Sequence, residues 1–250
     1  LDERDFAAFR TKERSPVCSD YKRWRICGMG PPSSGGIAVA QIFGILAQRN
    51  IAVVPPPQTG PAPQPQVDAV HLFSEAGRLA FADRNVYVAD PDFIPVDWIA
   101  LTHPRYLADR AGLIGERSMG RAQPGVPAGY TMTWAADEAQ RIATSHISAV
   151  DGFGNAVAMT SSIEDQFGAR LMVRGFLLNN QLTDFSFAPG EDGKPVANRL
   201  QPGKRPRSSM APTLVFDRAG GELVATVGSP GGSLIIGYVA RTLVGVLDWD

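Results

Sequence analysis

A stretch of alternating small, apolar and hydroxyl residues in the middle of the chain constrains the fold most strongly. Residues 147–151 and 156–162 form two short apolar runs, and the sequence Gly-Phe-Gly-Asn at 152–155 separates them. Two such runs around a glycine-rich turn are typical of a β-hairpin. The sequence therefore predicts a hairpin with Thr144 at the start of its first strand and Ser162 at the end of its second.

The composition predicts a globular protein and argues against two classes of partner. The chain has 250 residues, of which 44% are hydrophobic and 20% charged, with a formal net charge of −1. Nucleic acids and membrane surfaces usually bind basic patches, and the densest basic cluster here is Lys204, Arg205 and Arg207. No run approaches the roughly 20 apolar residues of a membrane-spanning helix. We therefore expect no nucleic-acid partner and no membrane span in this sequence.

The cysteines and histidines are too few and too scattered to predict a metal site. Cys18 and Cys27 are the two cysteines of the chain, and they flank a short segment with the pattern of a strand. Two cysteines do not make a disulfide framework in a chain of this size, so we expect free thiols, with a single bridge as the alternative. His71, His103 and His146 are far apart in sequence. We expect no metal and no cofactor.

Two helices are predicted in the first third of the chain. The sequence Pro-Pro-Ser-Ser-Gly-Gly at 31–36 precedes residues 37–46, which are apolar at helical spacing. Such a loop could bind an anion through its N–H groups, but chemistry alone favours a tight turn with a helix cap. A second helix is predicted from Asp68, with Asp68 as its cap. We expect the polar residues of this helix to form a solvated face. These are His71, Glu75, Arg78, Asp83 and Arg84.

The rest of the chain alternates connectors with short elements. Residues 53–66 are dense in proline and predict an exposed connector, and residues 97–111 predict one or two short helices. Residues 112–139 are rich in glycine and proline, which indicates a flexible surface segment accessible to cleavage just before Thr144. Further along, the patterns predict a loop at 187–206, strands at 213–216 and 223–227, and a helix from Ser233.

Several motifs in one order resemble the γ-glutamyltranspeptidase family. Taken together they give a more specific signal than any of them alone. The motifs are Pro-Pro-Ser-Ser-Gly-Gly at 31–36, Thr-Ser-His at 144–146, Asp-Gly-Phe-Gly-Asn at 151–155, Thr-Ser-Ser at 160–162, Gly-Phe-Leu-Leu-Asn-Asn-Gln at 175–181, Asp-Phe-Ser at 184–186, Arg-Pro-Arg-Ser-Ser-Met-Ala-Pro-Thr at 205–213 and Gly-Ser-Pro-Gly-Gly-Ser at 228–233.

The resemblance implies a fold and a division of the chain. The implied fold is α+β, part of the αββα four-layer sandwich of the N-terminal-nucleophile hydrolases. Compared with the family, residues 1–143 match the later part of the large subunit and residues 144–250 match most of the small subunit. The expected partners are therefore the two fragments of one precursor. Periplasmic or secreted relatives make those compartments the expected location.

The resemblance also assigns the reacting groups. It implies autocatalytic cleavage between Ala143 and Thr144, which exposes Thr144 as an N-terminal nucleophile whose own α-amino group is its base. Ser162 matches a hydroxyl that hydrogen-bonds the nucleophile and assists maturation. Gly231 and Gly232 match the oxyanion hole, where backbone N–H groups stabilise a developing negative charge. Without the resemblance, the two glycines could equally form an ordinary turn.

Substrate recognition is implied at four further positions, and a fifth departs from the family pattern. Gln181, Asp184, Ser208 and Ser209 match positions that hold the γ-glutamyl group of the donor. Asp184 would pair with its α-ammonium, and Ser208 and Ser209 would donate to its α-carboxylate. Glu164 stands where well-known members have asparagine, and a carboxylate there would repel the substrate carboxylate unless it is paired or protonated. The family arginine that clamps this carboxylate is expected upstream of Leu1.

The expected activity is therefore γ-glutamyl transfer or hydrolysis through a threonine acyl-enzyme. The donor would be a γ-glutamyl amide such as glutathione, and the acceptor would be water or an amino acid. Because of Glu164, a related acylase that cleaves glutaryl amides stays open as an alternative. A non-catalytic scaffold that is never cleaved is the third possibility.

Overall fold

A computed structural model describes residues 2–51, 66–130, 144–191 and 193–249 of the chain. Within these ranges, helices and strands are interleaved along the sequence. The helices are α1 (Glu3–Ala8), α2 (Gly35–Arg49), α3 (Val67–Tyr87), α4 (Trp98–Leu101), α5 (Pro104–Ala111) and α6 (Ile235–Asp248). The strands are β1 (Val17–Tyr21), β2 (Trp24–Gly28), β3 (Ser145–Val150), β4 (Ala156–Ser161), β5 (Met172–Val173), β6 (Phe176–Leu177), β7 (Gly190–Glu191), β8 (Lys194–Pro195), β9 (Thr213–Asp217) and β10 (Leu223–Val227).

Four strands form an antiparallel sheet in the order β1-β2-β9-β10. Strand β2 pairs with β9 although nearly two hundred residues separate them, so the sheet joins the two ends of the chain. Side chains of β2 alternate between buried and exposed or half-buried positions, as predicted for a half-buried strand. The prediction of mixed helix and sheet is confirmed.

The predicted hairpin is present as β3 and β4. The two strands are paired from Ser145 opposite Ser161 to Val150 opposite Ala156. The turn between them is held by Asp151, whose Oδ1 accepts hydrogen bonds from the N–H groups of Phe153 and Asn155, both at 2.9 Å. The hairpin contacts β10, and the Ser148 hydroxyl donates to the Thr226 carbonyl at 3.3 Å.

Helix α2 lies at the centre of the core. It packs against α3, α5 and α6 as well as β1 and β2, and most of its residues are buried on all sides. A helix that is apolar all round has to be covered by other elements on every face. The largest side chains at its centre include Ile42, Phe43 and Leu46, each no more than 1% exposed.

The N-terminus of α2 approaches the chain near Met210 so closely that only glycine fits. A Cβ atom on Gly35 would lie 2.2 Å from the Met210 carbonyl oxygen and 2.7 Å from Ala211 Cα. On the other side, a Cβ on Gly36 would lie 2.6 Å from the Met29 carbonyl oxygen. These glycines therefore bring the Pro-Pro-Ser-Ser turn against the residues that follow Arg207.

The expectation of a solvated polar face on α3 is wrong for three residues. Glu75, Asp83 and Arg84 are each 1% exposed. The carboxylates are buried because they hold a neighbouring segment: Met119 N–H donates to Glu75 at 2.9 Å and Gly125 N–H donates to Asp83 at 2.8 Å. Burial raises the pKa of Asp83, and the charge of Arg110, 3.0 Å away, opposes this rise.

These contacts also change the interpretation of the segment after α5. Residues 112–130 contain no helix or strand, in agreement with the sequence, yet α3 holds them at Met119 and Gly125 rather than leaving them loose. Residues 131–139 of the predicted flexible segment, and residues 53–65 of the proline-rich connector, lie outside the described ranges.

Two smaller expectations also need correction. Cys18 and Cys27 form a disulfide, with Cα atoms 4.1 Å apart, because the register of β1 and β2 places them directly opposite each other. A count of cysteines could not reveal this register. Helix α3 begins one residue before Asp68, so Asp68 lies in its first turn and Gln66 is the cap residue. An acidic residue there still stabilises the helix, because its negative charge lies near the positive end of the helix dipole.

We predict that Gly35→Ala lowers the free energy of unfolding by about 2 kcal/mol or more, because the added methyl group clashes with backbone at Met210 and Ala211. Gly77→Ala is the matched control, since a Cβ on Gly77, inside α3, meets nothing within 4 Å. It should stabilise the helix by up to about 1 kcal/mol. Urea unfolding of both variants measures the difference, and equal stability would contradict the close approach.

Candidate active site

One pocket brings together nearly all the residues predicted to act in function. Each predicted residue contributes to its wall except Gly231, which is adjacent in sequence to a wall residue, and Ala143, which lies outside the described ranges. The wall consists of Thr144, Ser162, Glu164, Gln181, Asp184, Arg207, Ser208, Ser209, Met210, Gly232, Ser233 and Ile235.

The hairpin positions the two hydroxyl residues of the pocket. Thr144 directly precedes β3 and Ser162 directly follows β4, and the pairing of Ser145 with Ser161 places them side by side. The Thr144 hydroxyl donates to Ser162 Oγ at 3.3 Å. Ser162 Oγ also accepts the Glu164 N–H at 2.9 Å, which fixes the hydroxyl beside Thr144. The register of the predicted hairpin is therefore what creates this pair.

Gly231 and Gly232 form a sharp turn before α6. Their φ angles are 134° and 57°, which L-residues with a Cβ rarely adopt. A Cβ on Gly231 would also lie 2.8 Å from the ring of Tyr238. Within the described part of the chain, the N–H groups of both glycines donate to no backbone carbonyl. Two such donors at the edge of a pocket can stabilise a negatively charged oxygen.

Glu164 is a buried carboxylate in the wall of the pocket. Its backbone has a φ of 79° and the residue is 7% exposed. Asn180 Nδ2 donates to its Oε2 at 2.7 Å, and the N–H of Asn180 donates to the Ile163 carbonyl at 2.9 Å. The carboxylate therefore has a hydrogen-bond donor, as a buried polar group requires.

Gln181 and Asp184 lie at the two ends of a short 3-10 helix, Gln181–Asp184. Gln181 Nε2 donates to Asp184 Oδ2 at 3.1 Å, and Asn198 Nδ2 donates to the Asp184 carbonyl at 2.8 Å. Gln181 Oε1 is buried and, among the described residues, accepts no hydrogen bond. A buried acceptor without a donor is costly, so this oxygen and the neighbouring carboxylate suit a cationic donor.

The two serines at 208 and 209 differ in how their hydroxyls are used. Ser208 Oγ donates to Ser33 Oγ at 3.0 Å, and Ser33 Oγ donates to the Met210 carbonyl at 2.5 Å. Ser209 Oγ instead accepts from Arg84 Nη2 at 2.6 Å. The Ser208 hydroxyl thus donates its proton to Ser33, whereas the Ser209 hydroxyl accepts a hydrogen bond from Arg84.

The Pro-Pro-Ser-Ser-Gly-Gly motif supports these serines from behind. It forms a turn, as predicted, but the Ser34 hydroxyl does not cap α2. Instead, Ser34 donates to the Ser208 carbonyl through its N–H at 2.8 Å and its hydroxyl at 2.7 Å. The motif therefore joins the first part of the chain to the serine pair.

Sequence reasoning missed several residues of this site. Arg207 is 1% exposed, and its Nη1 donates to the carbonyls of Arg84 and Asn85, both at 3.2 Å. Its place in the Arg-Pro-Arg-Ser-Ser motif was a signal that could have found it. Met210, Ser233 and Ile235 also line the pocket. Arg84 was assigned to a solvated face, and no signal in the helical pattern separates it from an exposed arginine.

The described residues hold no group of three or more His, Cys, Asp or Glu side chains suited to a metal ion. In the same parts of the chain, no helix combines the length and apolar character needed to cross a bilayer.

Comparisons with known proteins show the family of the chain and support its fold. The family model described as Gamma-glutamyltranspeptidase matches residues 1–250. The glutathione hydrolase proenzyme of Escherichia coli K12 is 37% identical over 259 aligned residues, covering 100% of this chain and 41% of that protein. The acylase ACY 1 proenzyme of Pseudomonas sp. V22 is 32% identical over 250 residues, covering 99% and 40%.

The fold resembles the crystal structure of cephalosporin acylase from Bacillus halodurans, with a TM-score of 0.76, 24% identity, and coverage of 98% of this chain and 40% of that one. The fold and the match place the chain among enzymes of the N-terminal-nucleophile hydrolase type. More narrowly, the chain belongs to the γ-glutamyltranspeptidase family. It spans about two fifths of the length of the curated relatives that it matches.

Proposed function

We propose that this chain contains the catalytic centre of an autoprocessing γ-glutamyl transferase or hydrolase, with Thr144 as the nucleophile. The observation that carries the proposal is the Thr144 hydroxyl, 3.3 Å from Ser162 Oγ, in one pocket with Gly232 and the residues suited to a γ-glutamyl group. In this proposal, residues 1–143 belong to the large subunit and residues 144–250 to the small subunit of a four-layer αββα protein. Its location would be periplasmic or secreted, as in its relatives.

Maturation comes first in the proposed sequence. The Thr144 hydroxyl attacks the carbonyl carbon of Ala143, the peptide nitrogen leaves as an amine, and water hydrolyses the resulting ester. The products are a carboxylate on Ala143 and a free α-amino group on Thr144. With a reference pKa of roughly 7.7 to 8.0, this amine can accept the proton of the Thr144 hydroxyl near neutral pH.

Acyl transfer follows on the same atoms. Thr144 Oγ1 attacks the γ-amide carbonyl of the donor while its α-amino group takes the hydroxyl proton. The N–H groups of Gly231 and Gly232 stabilise the oxyanion, at about 3 kcal/mol per donor. The proton then passes to the leaving amine, which departs as the acyl-enzyme ester forms. Water or an amino-acid amine attacks this ester while the α-amino group takes its proton, and that proton passes to Thr144 Oγ1 as the acyl group leaves.

Donor recognition in the proposal uses acceptor groups for the α-ammonium and hydroxyl donors for the α-carboxylate. Asp184 and Gln181 Oε1, which accepts no hydrogen bond from the described residues, would accept hydrogen bonds from the α-ammonium group. Ser209 would donate to the α-carboxylate, since Arg84 approaches its oxygen and leaves the proton to point elsewhere. Ser208 would contribute after its hydroxyl rotates away from Ser33.

A second candidate is an acylase that cleaves glutaryl amides. The observation that raises it is Glu164, a buried carboxylate in the pocket wall at a position where well-known family members have asparagine, so the wall around the acyl group differs from theirs. The likeness to an acylase proenzyme at 32% identity is consistent with this candidate. The two functions differ in whether the ammonium-binding residues matter, so they are separable by experiment.

Thr144→Ala in the full-length protein is expected to abolish cleavage, because the attacking hydroxyl is lost. Intact mass should show two fragments in the parent, with a new N-terminus at Thr144, and a single chain in the variant. A parent that stays in one piece would contradict the proposal and favour a non-catalytic scaffold.

Ser162→Ala is expected to slow the appearance of the Thr144 N-terminus about tenfold, since one hydrogen bond to the nucleophile is worth about 1–1.5 kcal/mol. Ser162→Thr should restore the rate because it keeps the hydroxyl. Ser161→Ala is the control, as this neighbouring hydroxyl is exposed and not part of the pocket wall. Equal rates in Ser162→Ala and Ser161→Ala would exclude a role of the Ser162 hydroxyl in maturation.

Asp184→Asn is expected to lower kcat/KM for a γ-glutamyl anilide by about 10- to 100-fold, because a charge-assisted hydrogen bond contributes about 1.5–3 kcal/mol. The value for a glutaryl anilide, which lacks the α-amino group, should change less than about threefold. Steady-state kinetics of the processed protein with both anilides measures this. A parent that prefers the glutaryl anilide would support the acylase instead.

A further inference from the structure

Arg84 is a buried cation directly behind the serine pair. It lies on α3, 1% exposed, and is not itself part of the pocket wall. Its Nη2 donates to Ser209 Oγ at 2.6 Å, and its Nε donates to Ser34 Oγ at 2.7 Å. One planar guanidinium thus holds two hydroxyls. In the sequence, Ser34 precedes Thr144 and Ser209 follows it.

The second of these hydroxyls, that of Ser34, connects Arg84 to Ser208 by hydrogen bonds. Ser34 Oγ accepts from Arg84 and donates to the Ser208 carbonyl at 2.7 Å. The Ser34 N–H donates to the same carbonyl at 2.8 Å. Arg84 therefore fixes the side chain of Ser209 directly and the backbone of Ser208 through Ser34.

The direction of the hydrogen bonds determines what Ser209 offers to the pocket. Arginine has no acceptor, so Arg84 must donate and Ser209 Oγ must accept. A hydroxyl whose lone pair is occupied from behind has its proton left for a partner elsewhere. Within the described residues, the Ser209 hydroxyl makes no hydrogen bond other than that to Arg84. The positive charge also polarises this hydroxyl, which strengthens its hydrogen bond to an anion.

We propose that Arg84 is a positioning residue that makes the pocket select acyl donors with a carboxylate at the end remote from the scissile amide. The inference rests on the proposed function, because it assumes that Ser209 faces the acyl group. Arg84 acts through Ser209 and touches no substrate itself. The Ser209 hydroxyl would lie between the positive charge of Arg84 and the donor's carboxylate. Arg84 itself belongs to the part of the chain that precedes Thr144. The same selection applies to γ-glutamyl and glutaryl donors, since both carry that carboxylate.

Three anilide donors separate the contribution of each charged group. γ-Glutamyl anilide carries carboxylate and ammonium, glutaryl anilide carries the carboxylate alone, and 4-aminobutanoyl anilide carries the ammonium alone. The ratio of kcat/KM for the γ-glutamyl donor to that for the 4-aminobutanoyl donor measures selection for the carboxylate. A purely structural role of Arg84 would lower both values together and leave this ratio unchanged.

In the processed full-length protein, Arg84→Met is expected to lower the ratio about tenfold, which corresponds to about 1.4 kcal/mol. Arg84→Lys should lower it too, because a single ammonium group cannot hold Ser34 and Ser209 as the planar fork does. Arg110→Met is the control for losing a buried arginine. Arg110 is 4% exposed, pairs with Asp83 and is not in the pocket wall, so its loss should reduce stability and leave the ratio unchanged.

Ser209→Ala gives a second criterion. Because Arg84 acts on Ser209 directly and on Ser208 through Ser34, the fall in the ratio in the double variant Arg84→Met with Ser209→Ala should be smaller than the sum of the two single falls. An unchanged ratio in Arg84→Met, or effects that add fully, would overturn the inference. If Arg84→Met does not fold, Arg84→Lys is judged by the same criteria.

A binding measurement keeps this test separate from the proposed activity. In full-length Thr144→Ala protein, the thermal shift caused by glutarate relative to butyrate should shrink when Arg84→Lys is added. A parent without turnover of any donor would refute the proposed function, while the glutarate shift would still test Arg84. A glutarate shift unaffected by Arg84→Lys would overturn the inference even in an active enzyme.

Discussion

The site depends on the contact between the turn before α2 and the chain around Ser208. Ser34 pairs with the Ser208 carbonyl through both its N–H and its hydroxyl, and Gly35 lets the helix approach Met210 without a side chain in between. Because the apolar helix α2 is buried at the centre of the core, this contact is anchored in the close-packed interior of the fold. The serine pair is therefore placed by packing rather than by its own loop.

A second constraint is the register of the β3–β4 hairpin. A shift of one residue would move Ser162 away from Thr144 and turn its side chain to the other face. Asp151 fixes the turn and so limits such a shift. The proposed nucleophile and its hydroxyl partner thus come from a local element, whereas the serines proposed to bind a carboxylate are placed by long-range contacts.

Buried charge is concentrated on α3, where it connects separate segments. Glu75 and Asp83 hold the segment after α5 through Met119 and Gly125. Arg84, one residue after Asp83, instead donates hydrogen bonds to Ser34 and Ser209. In the proposed mature protein the contact between Arg84 and Ser209 would cross between the two subunits, so it would help to keep the pocket assembled after cleavage. The cost of burying each charge is offset by its hydrogen bonds.

Local patterns in the sequence determined the hairpin, the helices and the order of the motifs, because periodicity and turn residues act over a few positions. The resemblance carried by the motifs, rather than any local pattern, assigned Thr144, Ser162, Glu164, Gln181, Asp184, Ser208, Ser209 and Gly232, which all line one pocket. Tertiary structure alone decided that Cys18 faces Cys27 and that Arg84 is buried behind Ser209. Both depend on register and on packing between distant segments, and a charged residue on a helix has the same local pattern whether it meets water or a buried partner.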